Sequence, residues 1–202
     1  AKSTLKTLVQ SKPANGKAAF LLGNIYLTQN IADSAKIYFQ KGLTASDDSK
    51  LNYIGLGQMD LDNGNRTAAQ SNFDLATKDA KKKDVEPYIY IGKAYINSSK
   101  PDYKNAIMVL NKAKLLNPQD AQLQLVLGDA FYGDKNQNDA YAAYRNAFQS
   151  DPTLIRAKMQ QGVLLKGAKA YSEAIKFLNE IVGANPNYGP VYRELAETYY
   201  YW

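Results

Sequence analysis

The chain contains no cysteine and no histidine among its 202 residues. The first absence removes disulfides, thiol nucleophiles and thiolate metal sites. The second removes the commonest general base near neutral pH and the commonest zinc ligand. No apolar run approaches the roughly 20 residues that span a bilayer. No secretory leader is visible either, because Ala1-Lys2-Ser3-Thr4-Leu5 already reads as a helix in mid-course. Lack of cysteine suits a protein of the bacterial periplasm or cell envelope. What is present belongs to a folded protein, with 45% hydrophobic residues. A net charge of +6 gives a mild preference for acidic partners. That charge is spread out, without the basic cluster of a nucleic-acid binder.

A periodicity organises the whole chain. A small residue follows Leu22, Leu56, Ile91, Leu127, Gln161 and Leu195, namely Gly23, Gly57, Gly92, Gly128, Gly162 and Ala196. The steps between them are 34, 35, 36, 34 and 34 residues. Alanine stands 12 residues after the glycine at Ala35, Ala69, Ala140 and Ala174, and 14 after it at Ala106. Four residues beyond come Phe39, Phe73, Leu110, Tyr144 and Leu178. Pro118, Pro152 and Pro186 each lie 12 residues past an alanine and 10 before the next small residue.

These residues carry a resemblance to the tetratricopeptide repeat family, whose signature is W-x2-L-G-x2-Y, then A-x3-F, then P. Tyr88-x2-Ile91-Gly92-x2-Tyr95, Ala106-x3-Leu110 and Pro118 are similar to it throughout. Ala19, Leu22, Gly23, Tyr26, Ala35 and Phe39 also match, as do Leu127, Gly128, Phe131, Ala140, Tyr144 and Pro152. Asp60 departs from the aromatic after Gly57, and Asp47 and Lys81 stand in place of two prolines. The resemblance implies an all-α fold, a right-handed superhelix or α-solenoid of stacked antiparallel helix pairs. The glycine and alanine are expected where paired helices cross, since small side chains let them approach. The aromatics are expected to fill the space between hairpins, and proline to end each second helix.

The register gives one array over 1–202. Residues 1–14 read as the second helix of a preceding repeat. Five full repeats follow over about 16–49, 50–84, 85–120, 121–154 and 155–188, and 189–202 reads as a first helix. The chain is expected to be a segment of a longer array, with uncapped ends open to self-association. Two extra residues fall near Ser98-Ser99-Lys100-Pro101-Asp102, and one more within 81–86 beside the lysine run Lys81-Lys82-Lys83. Both insertions read as loops, and the lysine run as a solvated one.

No catalytic, cofactor or metal constellation emerges, and an enzyme is not expected. Gly16-Lys17-Ala18 and Gly92-Lys93-Ala94 lack the rest of a Walker motif. Asp60-Leu61-Asp62-Asn63-Gly64 has the acidic spacing of a calcium loop, but Ser71 occupies the place of the bidentate glutamate. That segment reads as a turn between helices. Tyr26, Tyr88, Tyr95, Tyr144, Tyr192 and Tyr199 stand at signature core positions.

The resemblance further implies that first helices line a groove holding a peptide or partner protein. Counting from each glycine, the groove residues are Phe20, Asn24 and Leu27; Ile54, Gln58 and Leu61; Ile89, Lys93 and Ile96; and Leu125, Asp129 and Tyr132. Two apolar rows flank a polar one, a pattern for an extended chain or an amphipathic helix. The competing reading is that the apolar rows pack adjacent first helices together. A module for glycan or another non-protein ligand of the cell envelope is the alternative function. Family members that grip acidic chaperone tails use a basic clamp. Asn24 would match one clamp residue, but Phe20, Gly55, Glu86 and Tyr90 stand where the others are expected.

Overall fold

The computed structural model describes residues 2–78 and 83–202. Lys81 and Lys82 of the lysine run lie outside the described residues. The described residues form twelve α-helices and no strand, an all-α fold of solenoid type. They are α1 Lys2–Ser11, α2 Gly16–Thr28, α3 Ala32–Leu43, α4 Leu51–Asp62, α5 Arg66–Thr77 and α6 Glu86–Asn97. Then come α7 Tyr103–Leu116, α8 Ala121–Gly133, α9 Gln137–Ser150, α10 Ile155–Gly167, α11 Tyr171–Ala184 and α12 Gly189–Tyr201. Helices this short are marginal alone, and their stability comes from stacking. Two compact units result, Ala1–Val109 and Leu110–Trp202, with the division falling inside α7.

In the first unit α2 pairs with α3 and α4 with α5, while α2 adjoins α4 and α4 adjoins α6. In the second, α8 pairs with α9 and α10 with α11, and α10 and α11 both reach α12. The periodic glycines sit at the crossings. A Cβ on Gly23 would overlap the Phe39 ring, and on Gly57 and Gly128 it would stand 2.5 Å from Phe73 and Tyr144. Each ring belongs to the second helix of the same hairpin. Phe39 also lies against Gly55, where a Cβ would again overlap it, so this ring joins one hairpin to the next. Ala35, Ala69, Ala106, Ala140 and Ala174 are fully buried.

Local chemistry sets the helix ends. Asn15, Asp102, Asp120 and Asn136 cap α2, α7, α8 and α9 by accepting backbone N–H bonds from Ala18, Asn105, Leu123 and Asp139. The turns inside four hairpins hold a left-handed residue, Asn30 at φ 57°, Gly64 at 80°, Lys135 at 62° and Lys169 at 61°. Their backbone bonds, such as Ile31 N–H to Tyr26 O and Asn30 N–H to Leu27 O, close the preceding helix. Asp60–Gly64 is the end of α4 and such a turn.

The turn 98–102 is two residues longer and has no left-handed centre. It is held from outside instead. Ser99 N–H donates to Asp62 Oδ1 at 2.6 Å, and Arg66 pairs with Asp102 at 2.6 Å. Burial alone would raise the Asp102 carboxyl. The Asn105 hydrogen bonds and the Arg66 guanidinium outweigh it and hold the group below its usual value.

Asp47, at a proline position of the signature, has its own use. Its N–H donates to Ala14 O at 3.0 Å and its carbonyl accepts from Gly16 N–H at 2.8 Å. Proline has no N–H and could make only half of this tie. Asn52, fully buried, reinforces it by donating to Gly16 O and Ser49 O.

Candidate functional site

The first helices α2, α4 and α6 of the first unit enclose a cavity of about 470 Å³. Phe20, Asn24, Leu27 and Thr28 line it from α2, with Asn30 at the following turn. Ile54, Gln58 and Asp62 contribute from α4, Tyr90, Lys93 and Asn97 from α6, and Ser99 from the long turn. Half of the sequence-derived groove set therefore meets here: Phe20, Asn24, Leu27, Ile54, Gln58 and Lys93.

The apolar members divide by depth. Phe20 and Ile54 are each 1% exposed, so they form the floor and pack the helices together. Asn24, Leu27, Gln58 and Lys93 are half-buried and present their ends to the cavity. Ile89 is buried, and Leu61 and Ile96 are half-buried, yet none of the three lines the cavity. On α6 the lining falls on Tyr90 and Asn97 instead, one residue later than the repeat count gives. Lys93 keeps its counted place, so the lining edge of α6 runs through Tyr90, Lys93 and Asn97, and α4 shows the same one-residue shift with Asp62 in place of Leu61. Thr28 and Asp62 escaped sequence reasoning because they lie one residue beyond the last counted positions, and Asn30 because it lies in the turn that follows.

One side of the cavity is closed by contacts between α2 and α6. Phe20 and Tyr90 meet edge to face, with ring centroids 4.8 Å apart. Lys17 Nζ reaches Glu86 Oε1 at 2.6 Å. The hydrogen bond to Glu86 raises the Lys17 pKa against the opposing effect of burial. Burial, then the Glu86 carboxylate, pushes the Tyr90 phenol up. Lys17 and Glu86 both stand six residues before a glycine of the repeat, and that opposite-charge match was the signal available in the sequence.

The three remaining groove residues belong to the second unit and have other tasks. Leu125 is buried in a core cluster with Ala140, Tyr144, Ala147, Ala157 and Leu164. Asp129 accepts from the Tyr144 hydroxyl at 2.8 Å and from both terminal nitrogens of Arg156 at 3.0 and 2.7 Å. Burial and the Asp129 charge drive the Tyr144 phenol far above its usual range, so it stays a donor. Tyr132 is 48% exposed. Farther along, Lys166 on α10 holds Glu194 and Glu197 of α12 at 2.7 and 2.6 Å. Of the tyrosines read as core, Tyr26, Tyr95 and Tyr144 are buried, whereas Tyr192 and Tyr199 are exposed. They project from the flank of α12, about a quarter turn from its buried Val191, Leu195 and Thr198.

Among the described residues no cluster of acidic side chains could hold a metal ion. No described helix is long and apolar enough to cross a membrane.

Residues 16–49 and 87–120 match the tetratricopeptide repeat family. The same helix arrangement recurs in solved tetratricopeptide structures. Those two stretches are tetratricopeptide repeats, and the chain as a whole shares the fold. It superposes on the Cut9–Hcn1 hetero-tetramer of APC/C with TM-score 0.64 and 21% identity, over 99% of this chain and 40% of that one. A thermophilic tetratricopeptide-repeat protein of Thermus thermophilus gives TM-score 0.64 at 17% identity, over 91% of this chain and 98% of that one. YrrB, described as having an unusual peptide-binding site, gives 0.56 at 15% identity, over 96% and 98%. At these identities the likeness is one of fold. No curated protein matches by sequence. Tetratricopeptide-repeat proteins generally mediate protein–protein interactions and generally are not enzymes.

Proposed function

We propose that this tetratricopeptide array is an interaction scaffold whose first unit takes a partner's polypeptide segment in the α2–α4–α6 cavity. The carrying observation is the composition of that cavity. Fully buried Phe20 and Ile54 supply an apolar floor, and Asn24, Gln58 and Asn97 supply carboxamides on three successive first helices. A carboxamide both donates and accepts, which suits the alternating N–H and C=O of a main chain. Its volume lies within the range of sites that bury a small ligand or a few residues.

The charge distribution supports the same unit. From the sequence, residues 1–109 carry 15 Lys and Arg against 10 Asp and Glu, a net of +5. Residues 110–202 carry 10 against 9, a net of +1. A segment with neutral or acidic flanks is favoured over a basic one.

The test is selection from a display library of linear peptides on the immobilised chain. Binders are then measured against Asn24→Ala, Gln58→Ala and Lys93→Ala, with Lys36→Ala and Lys41→Ala on α3 as controls. Groove variants that keep their melting profile are expected to weaken binding about tenfold, with the α3 variants unchanged. Normal binding by all three groove variants and loss in the α3 variants would place recognition on the second helices.

A further inference from the structure

With no cysteine in the chain, no disulfide can tie one helix to another. The first hairpin holds the parts of a different tie. Tyr26 on α2 and Tyr38 on α3 are stacked, with ring planes 8° apart and centroids separated by 5.3 Å. We propose that this pair is an oxidative cross-linking site, at which hydrogen peroxide acting through a haem peroxidase joins α2 to α3 by a dityrosine bond. The proposal is independent of the groove reading.

The geometry distinguishes this pair from the other aromatic contacts. A dityrosine bond forms between ring carbons ortho to the two hydroxyls, and it needs two phenoxyl rings lying face over face. Tyr26 and Tyr38 lie in that offset-stacked arrangement. Tyr200 and Tyr201 also touch, but their planes stand at 79° and present an edge to a face. Tyr90 and Tyr95 meet Phe20 and Phe73, which have no hydroxyl to oxidise. The stack is also held in place by its neighbours. Phe39, next to Tyr38, is fully buried between Gly23 and Gly55 and fixes the rotation of α3.

The electrostatics favour the same site. The hydrogen bond from Lys6, working against burial, holds the Tyr26 phenol below its usual value, and the Lys6 charge adds to it. Tyr95 has the same place in its repeat, three residues after the glycine, and there burial and then Asp102 push the phenol up. The hydroxyl proton must leave with the electron, so Tyr26 is the readier of the two. Tyr26 is only 7% exposed, but half-buried Tyr38 stacked on it offers the electron a way out.

The reaction balances without a further reagent. Each phenol gives up one electron and its hydroxyl proton. The two radicals join carbon to carbon, and the ortho hydrogen at each end of the new bond moves to the phenolic oxygen, restoring the ring. The pair loses two hydrogens in all, and one hydrogen peroxide takes them up as two waters. The product staples the two helices and restricts the unfolded chain as a disulfide would.

The test treats the folded chain, at high dilution, with a haem peroxidase and hydrogen peroxide and isolates the monomer. Dityrosine fluorescence, a mass loss of two hydrogens and the tryptic map are then read. Cleavage after Lys17, Lys36 and Lys41 leaves Tyr26 as the one tyrosine of 18–36 and Tyr38 as the one tyrosine of 37–41. Joined 18–36 and 37–41 are expected as the main cross-linked species, and Tyr26→Phe and Tyr38→Phe are each expected to abolish it. Both variants keep the ring and are expected to melt as the unaltered chain does. The peptide map of the unaltered chain decides the matter even if a variant melts early. A monomer in which these peptides stay separate would overturn the proposal. So would coupling found mainly within 194–202, which carries Tyr200 and Tyr201, or between any other pair.

Discussion

The two units use the same helix pairs for opposite ends. In the first, the row of residues after the repeat glycines is Asn24, Gln58 and Lys93, and it borders an open cavity. In the second, the corresponding positions include Asp129 and Glu197, and both are consumed by ion pairs between first helices, with Arg156 and Lys166. Glu194, 9% exposed at its side chain, adds a third carboxylate to that seam. Asn24 and Gln58 are neutral amides, whose hydrogen bonds are easily exchanged for those of a ligand, while Lys93 lies over the Tyr90 ring. Charged partners at 2.6–2.7 Å hold each other and leave less for anything else. The same helix pairs thus border a cavity in the first unit, closed on one side by the Lys17–Glu86 pair, and an ion-paired seam in the second.

The comparison can be broken most forcefully through the core. Phe39→Ala should destabilise the first unit by about 3–5 kcal/mol, because the ring fills the space between Gly23 and Gly55 and is fully buried. Hydrogen exchange should show α2 to α5 opening while α8 to α11 stay protected. Equal loss in both units would show that they behave as one cooperative body. Ala140→Leu acts on the other side, forcing volume against Tyr144 and Leu125 at a cost of about 1–3 kcal/mol. A denaturation midpoint unchanged within error would contradict the packing described for α8 and α9.

Smaller effects sharpen the contrast. Raising salt to about 1 M shortens the screening length to roughly 3 Å. Amides of α10 and α12 should then lose more protection than those of α4, with a change below about 1 kcal/mol for these partly exposed pairs. Equal sensitivity of α4 would mean that the seam contributes little. On acidification, the lowered pKa of Asp102 means that its contribution is complete above the ordinary carboxylate range. It is lost as pH falls through the depressed value. Protection around 98–102 should decline in that window, and Asp102→Asn should flatten the dependence. Smallest of all, Lys169→Gly should stabilise the α10–α11 turn by up to about 1 kcal/mol, since φ is 61° there. A lower melting temperature would indicate that the Lys169 side chain does more than occupy the turn.

The helices were readable from spacing because the repeat signature is a contact rule. Glycine at one position makes room for a large apolar side chain sixteen residues on, as Gly23–Phe39, Gly57–Phe73, Gly128–Tyr144 and Gly162–Leu178 show. The groove was readable only in part. Position counting resolves a helix face only to about one residue, roughly 100° of turn, so Tyr90 and Asn97 line the cavity where Ile89 and Ile96 were counted, as Asp62 does where Leu61 was. The apolar rows were ambiguous in principle, since a floor and a packing surface have the same pattern, and Phe20 and Ile54 are both. Asp129 with Arg156 was hidden because an ion pair between neighbouring repeats leaves no periodic mark.

The long turn of the third hairpin bears on the order in which the molecule assembles. The three-residue turns close on their own helices, through bonds such as Gly64 N–H to Leu61 O, and form as soon as those helices do. Residues 98–102 also draw on Asp62 and Arg66, which lie 37 and 36 residues before their partners Ser99 and Asp102. That turn finds these partners only once α4 has ended and α5 has begun in place. The second hairpin therefore serves as a template for the third, giving growth of the first unit a direction along the chain.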